Sequence, residues 1–216
     1  MVEVATSFLE VKKENVIKTI YDLEVAGTNY FHIDVMDGQF VKNNTVDIMR
    51  EYTEYIKQVA NTKTEVHLMV KDVESYVKAY IDMGVNCITF HLESLKSENE
   101  ILKIISYIKQ NNIQVGLAIS PNTNIEEVYK YLPYIHRVLI MTVEPGKGGQ
   151  AFLPKTKNKI KEISKLIQEH KSKAIISVDG GINDETKKNC IEASQLVSGS
   201  YILSGDDYQE RINSLR

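Results

Sequence analysis

The sequence lacks the features that are typical of secreted, membrane and nucleic-acid-binding proteins. Its two cysteines, Cys87 and Cys190, stand far apart with no CxxC motif, which indicates small reduced side chains. Apolar runs stay short of a membrane span, and the charged N-terminal residues do not fit a signal peptide. The net charge of −3 comes from 26 basic and 29 acidic residues that are interspersed along the chain. We therefore expect a soluble, cytoplasmic protein that binds neither nucleic acid nor membrane.

The chain also lacks linkers, low-complexity segments and shifts in composition. Short β-rich apolar runs predict strands at 2–7, 30–36, 64–70, 85–91, 113–120, 135–143, 174–178 and 196–198. Amphipathic runs predict helices at 15–24, 46–59, 73–83, 97–110, 124–131, 155–170 and 184–193, with another near the C-terminus. Alternating strands and helices imply a parallel sheet, because parallel strands need crossover connections. Eight such units favour a single (β/α)8 TIM barrel domain at 1–216, with an open doubly wound sheet as the alternative.

The most informative stretch is Tyr-Phe-His-Ile-Asp-Val-Met-Asp-Gly at 30–38. Successive side chains of a strand point to opposite faces, so His32, Asp34 and Met36 share one face. An imidazole and a carboxylate are costly to bury on an apolar strand unless metal binding or proton transfer uses them. The alternative is a buried hydrogen bond between the two side chains.

In a barrel of this kind the active site lies at the C-terminal ends of the strands. Predicted strand ends carry polar groups in the first, second, third and seventh units, which are Ser7, His32, Asp34, His67 and Asp179. Two histidines and two aspartates predict one divalent metal ion, and this ligand set suits Zn²⁺, Fe²⁺, Mn²⁺ or Co²⁺. Three methionines also fall at strand ends; we expect them to line the pocket rather than to fill the core, and they are Met36, Met69 and Met141.

Glycine-rich loops follow the sixth, seventh and eighth predicted strands. Loops of this kind expose backbone N–H groups and can hold a phosphate at this place in a barrel, although each could also be a simple tight turn. We expect a phosphate site there, formed by Gly146, Lys147, Gly148, Gly149, Gly180, Gly181, Gly199 and Ser200.

Other polar residues are weaker candidates. His91 and Glu93 could join the site, but we interpret them as a mutually satisfied pair at a strand end. His136 and His170 fall away from the mouth and are expected to be structural or solvated. The lysine-rich segment 155–165 is typical of an exposed helix face.

Five blocks of this sequence, in order, resemble the ribulose-phosphate 3-epimerase family. They are His-Ile-Asp-Val-Met-Asp-Gly at 32–38, Val-His-Leu-Met-Val at 66–70, Met-Thr-Val-Glu-Pro-Gly-Lys-Gly-Gly-Gln at 141–150, Val-Asp-Gly-Gly-Ile at 178–182 and Ser-Gly-Ser at 198–200. The resemblance implies a TIM barrel of the pentose phosphate pathway that interconverts D-ribulose 5-phosphate and D-xylulose 5-phosphate.

The same resemblance implies the role of each residue. The metal ligands correspond to His32, Asp34, His67 and Asp179, and the two aspartates are also the acid and the base. Ser7 and His67 correspond to substrate contacts, the three methionines line the enediolate pocket, and the glycine loops hold the phosphate. The chemistry agrees, since inverting a carbon beside a carbonyl needs a base on one face, an acid on the other and a charge that stabilises the enediolate. No nicotinamide, flavin or pyridoxal cofactor is expected.

Some positions depart from the family pattern, namely Gln39, Lys42, the segment 46–48, Ser120 and Lys147. These departures keep open an epimerase of a hexulose 6-phosphate, such as allulose 6-phosphate. Decarboxylases of the related phosphate barrels carry an Asp-x-Lys-x-x-Asp motif, which this sequence lacks. A non-catalytic sugar-phosphate binder has no use for paired proton-transfer groups. The oligomeric state stays open, with a homo-oligomer among the expectations.

Overall fold

Eight parallel strands close into a barrel in sequence order in the computed structural model, which describes residues 2–216. The strands are β1 (Glu3–Ser7), β2 (Tyr30–Met36), β3 (Lys63–Met69), β4 (Cys87–His91), β5 (Gln114–Ile119), β6 (Arg137–Met141), β7 (Ile175–Asp179) and β8 (Gln195–Ser198). β1 pairs with both β2 and β8, which closes the sheet. The predicted (β/α)8 barrel is confirmed, and the open sheet is wrong.

Seven helices connect or follow the strands in the described residues. They are α1 (Val16–Val25), α2 (Val46–Val59), α3 (Val73–Asp82), α4 (Glu98–Gln110), α5 (Thr156–Glu169), α6 (Ser200–Leu203) and α7 (Tyr208–Leu215). Each longer helix turns an apolar stripe to the barrel; α1, for example, buries Val16, Ile20 and Leu23. A capping box at Ser97 and Glu100 begins α4. That the whole chain is a single domain stays a prediction.

Two predicted helices are wrong. The segment 124–131 forms two 3-10 turns, Ile125–Glu127 and Tyr129–Tyr131. Its buried residues Val128 and Tyr131 are three apart, which is the period of a 3-10 helix. The segment 184–193 forms only the 3-10 turn Thr186–Asn189, because its few buried side chains make no stripe long enough for an α-helix.

The barrel interior holds buried polar side chains as well as a small apolar cluster. The larger apolar core lies between the strands and the helices, while a small interior cluster includes Tyr30, Leu139 and Met141. Arg137, at the start of β6, is 1% exposed. It fits because β5 carries Gly116, where a Cβ atom would lie 2.1 Å from Thr89 Oγ1 and 3.0 Å from Arg137 Cγ. Within residues 2–216 no helix has the length and apolarity to cross a bilayer.

Candidate active site

The register of the first three strands brings the predicted polar residues to one level. Asp34 of β2 pairs with His67 of β3, and Ser7 of β1 pairs with His32. In a parallel sheet, paired residues point to the same face, so these side chains enter the barrel side by side. Asp179 reaches the same place from β7, where it pairs with Met141 of β6.

Four of the predicted residues form one compact cluster. His32, Asp34, His67 and Asp179 each offer one potential ligand atom, and these atoms all lie within 4.8 Å of one another. His67 Nδ1 lies 3.0 Å from Asp34 Oδ1 and 3.6 Å from Asp179 Oδ2. His32 Nε2 lies 3.3 Å from Asp34 Oδ1 and 3.8 Å from Asp179 Oδ2. The histidines and Asp34 are buried, and Asp179 opens to the mouth.

The donor set of this cluster fits a divalent cation. His32 Nε2 is buried and has no hydrogen-bond partner anywhere in residues 2–216, although it faces two carboxylates. A buried imidazole nitrogen that faces carboxylate oxygens but makes no hydrogen bond fits the role of a metal ligand. Two imidazoles and two carboxylates suit a transition-metal or zinc ion.

The two aspartates sit in opposite electrostatic environments. Burial alone would raise the pKa of Asp34, but His32 and His67 outweigh it and lower that pKa. The Ser7 hydroxyl also donates a 2.7 Å hydrogen bond to Asp34 Oδ2. Burial, and then the charge of Asp34, raise the pKa of Asp179 to about 7. One carboxylate is therefore held as an anion while its neighbour can carry a proton, an arrangement suited to acid–base chemistry.

A cleft of about 820 Å³ opens above the cluster. It is lined by Ser7, by both aspartates and by the three methionines. Each methionine is at most 3% exposed. The glycine-loop residues complete the lining, and they are Gly146, Lys147, Gly148, Gly149, Gly180, Gly181, Gly199 and Ser200. His32 and His67 lie beneath the lining, so the structure brings all the predicted site residues to this one cleft or directly under it.

Backbone conformation explains the glycines of the cleft. Gly180 has φ of 119°, and a Cβ atom there would lie 2.4 Å from Val143 Cγ2, so only glycine fits.

Gln150 closes the loop after β6 by donating from Nε2 to the carbonyls of Glu144 (2.7 Å) and Lys147 (2.8 Å). The Asn43 amide donates to the Gly146 carbonyl at 2.7 Å and joins the loop after β2 to this one.

A buried polar network that was not predicted from the sequence lies under the cluster. Glu65 Oε1 lies 2.7 Å from His32 Nδ1, and its other oxygen accepts from Arg137 and from Gln195 Nε2. Arg137 also donates to Gln195 Oε1 at 2.6 Å and stacks over Tyr30. The signal was present in the alternation of β3, because Glu65 and His67 are two residues apart and share the inner face.

The weaker candidates give mixed outcomes. The predicted pair of His91 and Glu93 forms, at 3.0 Å between Nδ1 and Oε2, but His91 also reaches His67 and is therefore adjacent to the cluster. His136 and His170 lie outside the cleft, as predicted. The exposed lysine face holds for most of 155–165 but is wrong for Lys159, which is half-buried and donates to the Ser120 carbonyl at 2.9 Å.

Together the barrel and the cluster define an enzyme of the (β/α)8 class with a candidate metal centre under a glycine-lined cleft. The sequence profile described as the ribulose-phosphate 3 epimerase family matches residues 3–203. The ribulose-phosphate 3-epimerase of Bacillus subtilis (strain 168) is 33% identical, over 100% of this chain and 99% of that protein. The protein of that name from Methanocaldococcus jannaschii is 34% identical, over 100% and 90%. The chain belongs to the ribulose-phosphate 3-epimerase family, whose named members are isomerases acting on carbohydrates.

Solved structures of low sequence identity share the fold. KGPDC from Streptococcus mutans has a TM-score of 0.74 at 11% identity, covering 100% of this chain and 95% of that one. The 3-hexulose-6-phosphate synthase of Salmonella typhimurium has a TM-score of 0.71 at 15% identity, covering 99% and 96%. At these identities the likeness establishes the barrel alone.

Proposed function

We propose that this chain is a metal-dependent epimerase that interconverts D-ribulose 5-phosphate and D-xylulose 5-phosphate in the cytoplasm. One observation carries the proposal: two carboxylates with opposite pKa shifts meet at the base of a cleft, beside two imidazoles. Membership of the family supports the substrate pair. The sugar phosphate is the partner that this cleft is proposed to bind.

Asp34 and Asp179 are the proposed acid–base pair. Inversion at C3 requires that one carboxylate removes the C3 proton from one face while the other returns a proton to the opposite face. Asp34 and Asp179 come from β2 and β7, so they approach the cleft from different strands of the barrel. The carboxylate that acts as base in one direction acts as acid in the other. Each turnover exchanges the protonation states of Asp34 and Asp179, so a proton has to return from the first carboxyl group to the second before the next turnover in the same direction.

His32, Asp34, His67 and Asp179 would hold the divalent ion, with Zn²⁺, Fe²⁺, Mn²⁺ and Co²⁺ as the candidates. When bound, the ion supplies positive charge for the oxygens that become negative as the C3 proton leaves. Asp34 and Asp179 also line the cleft, where both carboxyl groups can reach the substrate.

The remaining cleft residues bind and shield the substrate. An apolar wall of the cleft is formed by Met36, Met69 and Met141. This wall keeps water away from the carbanion. The proposed phosphate site lies on the backbone N–H groups of the glycine loops and on Ser200. Ser7 holds Asp34 through its hydroxyl and lines the cleft, where it can also contact the sugar.

The test is proton NMR of D-ribulose 5-phosphate in D₂O with the metal-loaded protein. We expect deuterium at C3 together with formation of xylulose 5-phosphate, and loss of both after chelation. No exchange on the pentulose, with exchange and epimerisation of allulose 6-phosphate, would assign the chain to the hexulose enzyme instead. Absence of exchange on both sugars would leave a non-catalytic binding protein.

A further inference from the structure

A line of hydrogen bonds leads away from the cluster to the carboxylate of Glu93. His67 presents Nδ1 to the cluster, and its Nε2 lies 2.9 Å from Nε2 of His91. His91 Nδ1 lies 3.0 Å from Glu93 Oε2. Both histidines are 0% exposed, so the contact between the two rings is closed to solvent.

Glu93 is the fixed end of this line, because its other oxygen accepts two further hydrogen bonds. Oε1 accepts from the Ser120 backbone N–H at 2.7 Å and from the Thr123 hydroxyl. A carboxyl group that accepts at both oxygens is held as an anion. Burial alone would raise the pKa of Glu93, but His91 and these donors lower it to about 2. Glu93 Oε2 therefore has to accept from His91.

A proton count then fixes both rings. The Nε2 atoms of the two rings lie 2.9 Å apart, a contact that holds one proton, and each neutral imidazole carries one proton in all. Three contacts join Asp34, His67, His91 and Glu93 in a line. The two imidazole protons can occupy only two of these contacts. If His91 donates to Glu93, its Nε2 is an acceptor, and the proton between the rings belongs to His67 Nε2. The contact between His67 Nδ1 and Asp34 is then the one without a proton, and a cation can bind between these two groups.

We propose that Glu93 and His91 are positioning residues that hold the proton of His67 on Nε2 and so keep Nδ1 free to ligate a metal. The inference rests on the proposed function only in taking the cluster as a metal site. Glu93 itself touches none of the four cluster residues; it acts through the His91 ring. That ring lies between His67 and Phe40, with ring centroids at 5.0 Å and 4.9 Å, so packing holds it in place.

The other histidine of the cluster, His32, is oriented by a carboxylate directly, with no second ring between them. His32 Nδ1 lies 2.7 Å from Glu65 Oε1, which leaves Nε2 toward the cluster. The two rings thus present different nitrogens, and each has its remote nitrogen tied to a carboxylate, directly or through His91. Ordering of this kind around metal-binding histidines typically changes metal affinity by about 10- to 100-fold when it is lost.

The sharpest variant is Glu93→Gln, which keeps the shape of the side chain. The amide oxygen replaces Oε1 at Ser120 and Thr123, so the NH₂ group faces His91 Nδ1 and donates to it. His91 must then carry its proton on Nε2, which makes His67 Nε2 an acceptor and moves the His67 proton to Nδ1. We expect a Zn²⁺ dissociation constant about 10- to 100-fold higher than that of the wild type, measured by chelator competition.

The direct readout is the histidine tautomer, observed by long-range ¹H–¹⁵N NMR of the zinc-loaded protein. In the wild type we expect His91 as Nδ1–H and His67 as Nε2–H, and in Glu93→Gln we expect His91 as Nε2–H. Thr123→Val is the matched control, since it removes a donor to Glu93 and leaves the carboxylate facing His91. It should keep the wild-type tautomers and affinity.

Several outcomes overturn the proposal. If His91 is found as Nε2–H in the wild type, the proposal is wrong. This result needs no variant, so it holds even if Glu93→Gln fails to fold. Equal losses of zinc affinity in Glu93→Gln and Thr123→Val would reduce Glu93 to a structural role, and a wild type that binds no zinc would remove the site. Failure to turn over ribulose 5-phosphate, with the expected tautomers and affinities, would instead count against the proposed function alone.

Discussion

The two halves of the barrel mouth use different parts of the polypeptide. The side-chain half, on β1–β3, consists of Ser7, His32, Asp34 and His67. The glycine half consists of the loops at 146–149, 180–181 and 199–200, where backbone conformation is the main requirement. Proton transfer and metal binding need groups whose protonation can be tuned, whereas a phosphate can be held by the N–H groups that almost every residue has. The contrast implies that substitutions in the two halves fail in different ways.

The largest expected effect is on the chemistry of the two aspartates. Asp34→Asn and Asp179→Asn should each lower kcat on the order of 10³-fold or more, because an amide cannot exchange protons with C3. Asn keeps the shape of the side chain, so we expect a folded protein by circular dichroism. Asp179 adjoins Gly180 and is the one acid–base group supplied from the glycine half.

The two Asn variants also separate the roles of the acids. Each should still exchange the C3 proton of one epimer in D₂O without forming the other, and the two variants should act on opposite epimers. Normal turnover by either variant, or exchange of the same epimer by both, would contradict the two-carboxylate mechanism.

The second effect concerns the floor beneath the side-chain half. Arg137→Met leaves Glu65 buried beside His32 without its cationic partner, and should lower the free energy of unfolding by about 3–5 kcal/mol. Urea denaturation measures this. Lys103→Met, which removes an exposed ion pair with Glu74, is the control and should leave the midpoint nearly unchanged. Equal midpoints for the two variants would show that the buried network does not stabilise the fold.

The third effect is on backbone conformation in the glycine half. Gly180→Ala should lower the free energy of unfolding by about 1–3 kcal/mol and raise KM, because the site has positive φ and no room for Cβ. Gly27→Ala is the control: its φ is also positive, at 79°, but no atom lies within 4 Å of the added methyl group. A rise in KM for both variants, or for neither, would break the link between this turn and substrate binding.

The same contrast explains how much the sequence could predict. Alternation on β2 and β3 places His32, Asp34 and His67 on one face, and the barrel rule brings them to one mouth, so the cluster was predicted from the residues alone. The contact between His91 and His67 was missed, because the register of β3 against β4 is a property of barrel closure. The network of Glu65, Arg137 and Gln195 joins residues up to 130 positions apart. Alternation on β3 places Glu65 on the inner face, but the sequence carries no local signal for its partners across the barrel.

The smallest expected effect is at Ser200, where the glycine half does contribute a side chain. Ser200→Ala removes a hydroxyl from the cleft but keeps the backbone N–H, so one of the proposed phosphate contacts is lost and the loop is unchanged. KM should rise about tenfold, the loss of one hydrogen bond to a charged group, while kcat changes little. Steady-state kinetics of the wild type and variant on the same sugar phosphate measure both. A fall in kcat at unchanged KM would place Ser200 with the reacting groups, and would mean that the glycine half does more than bind.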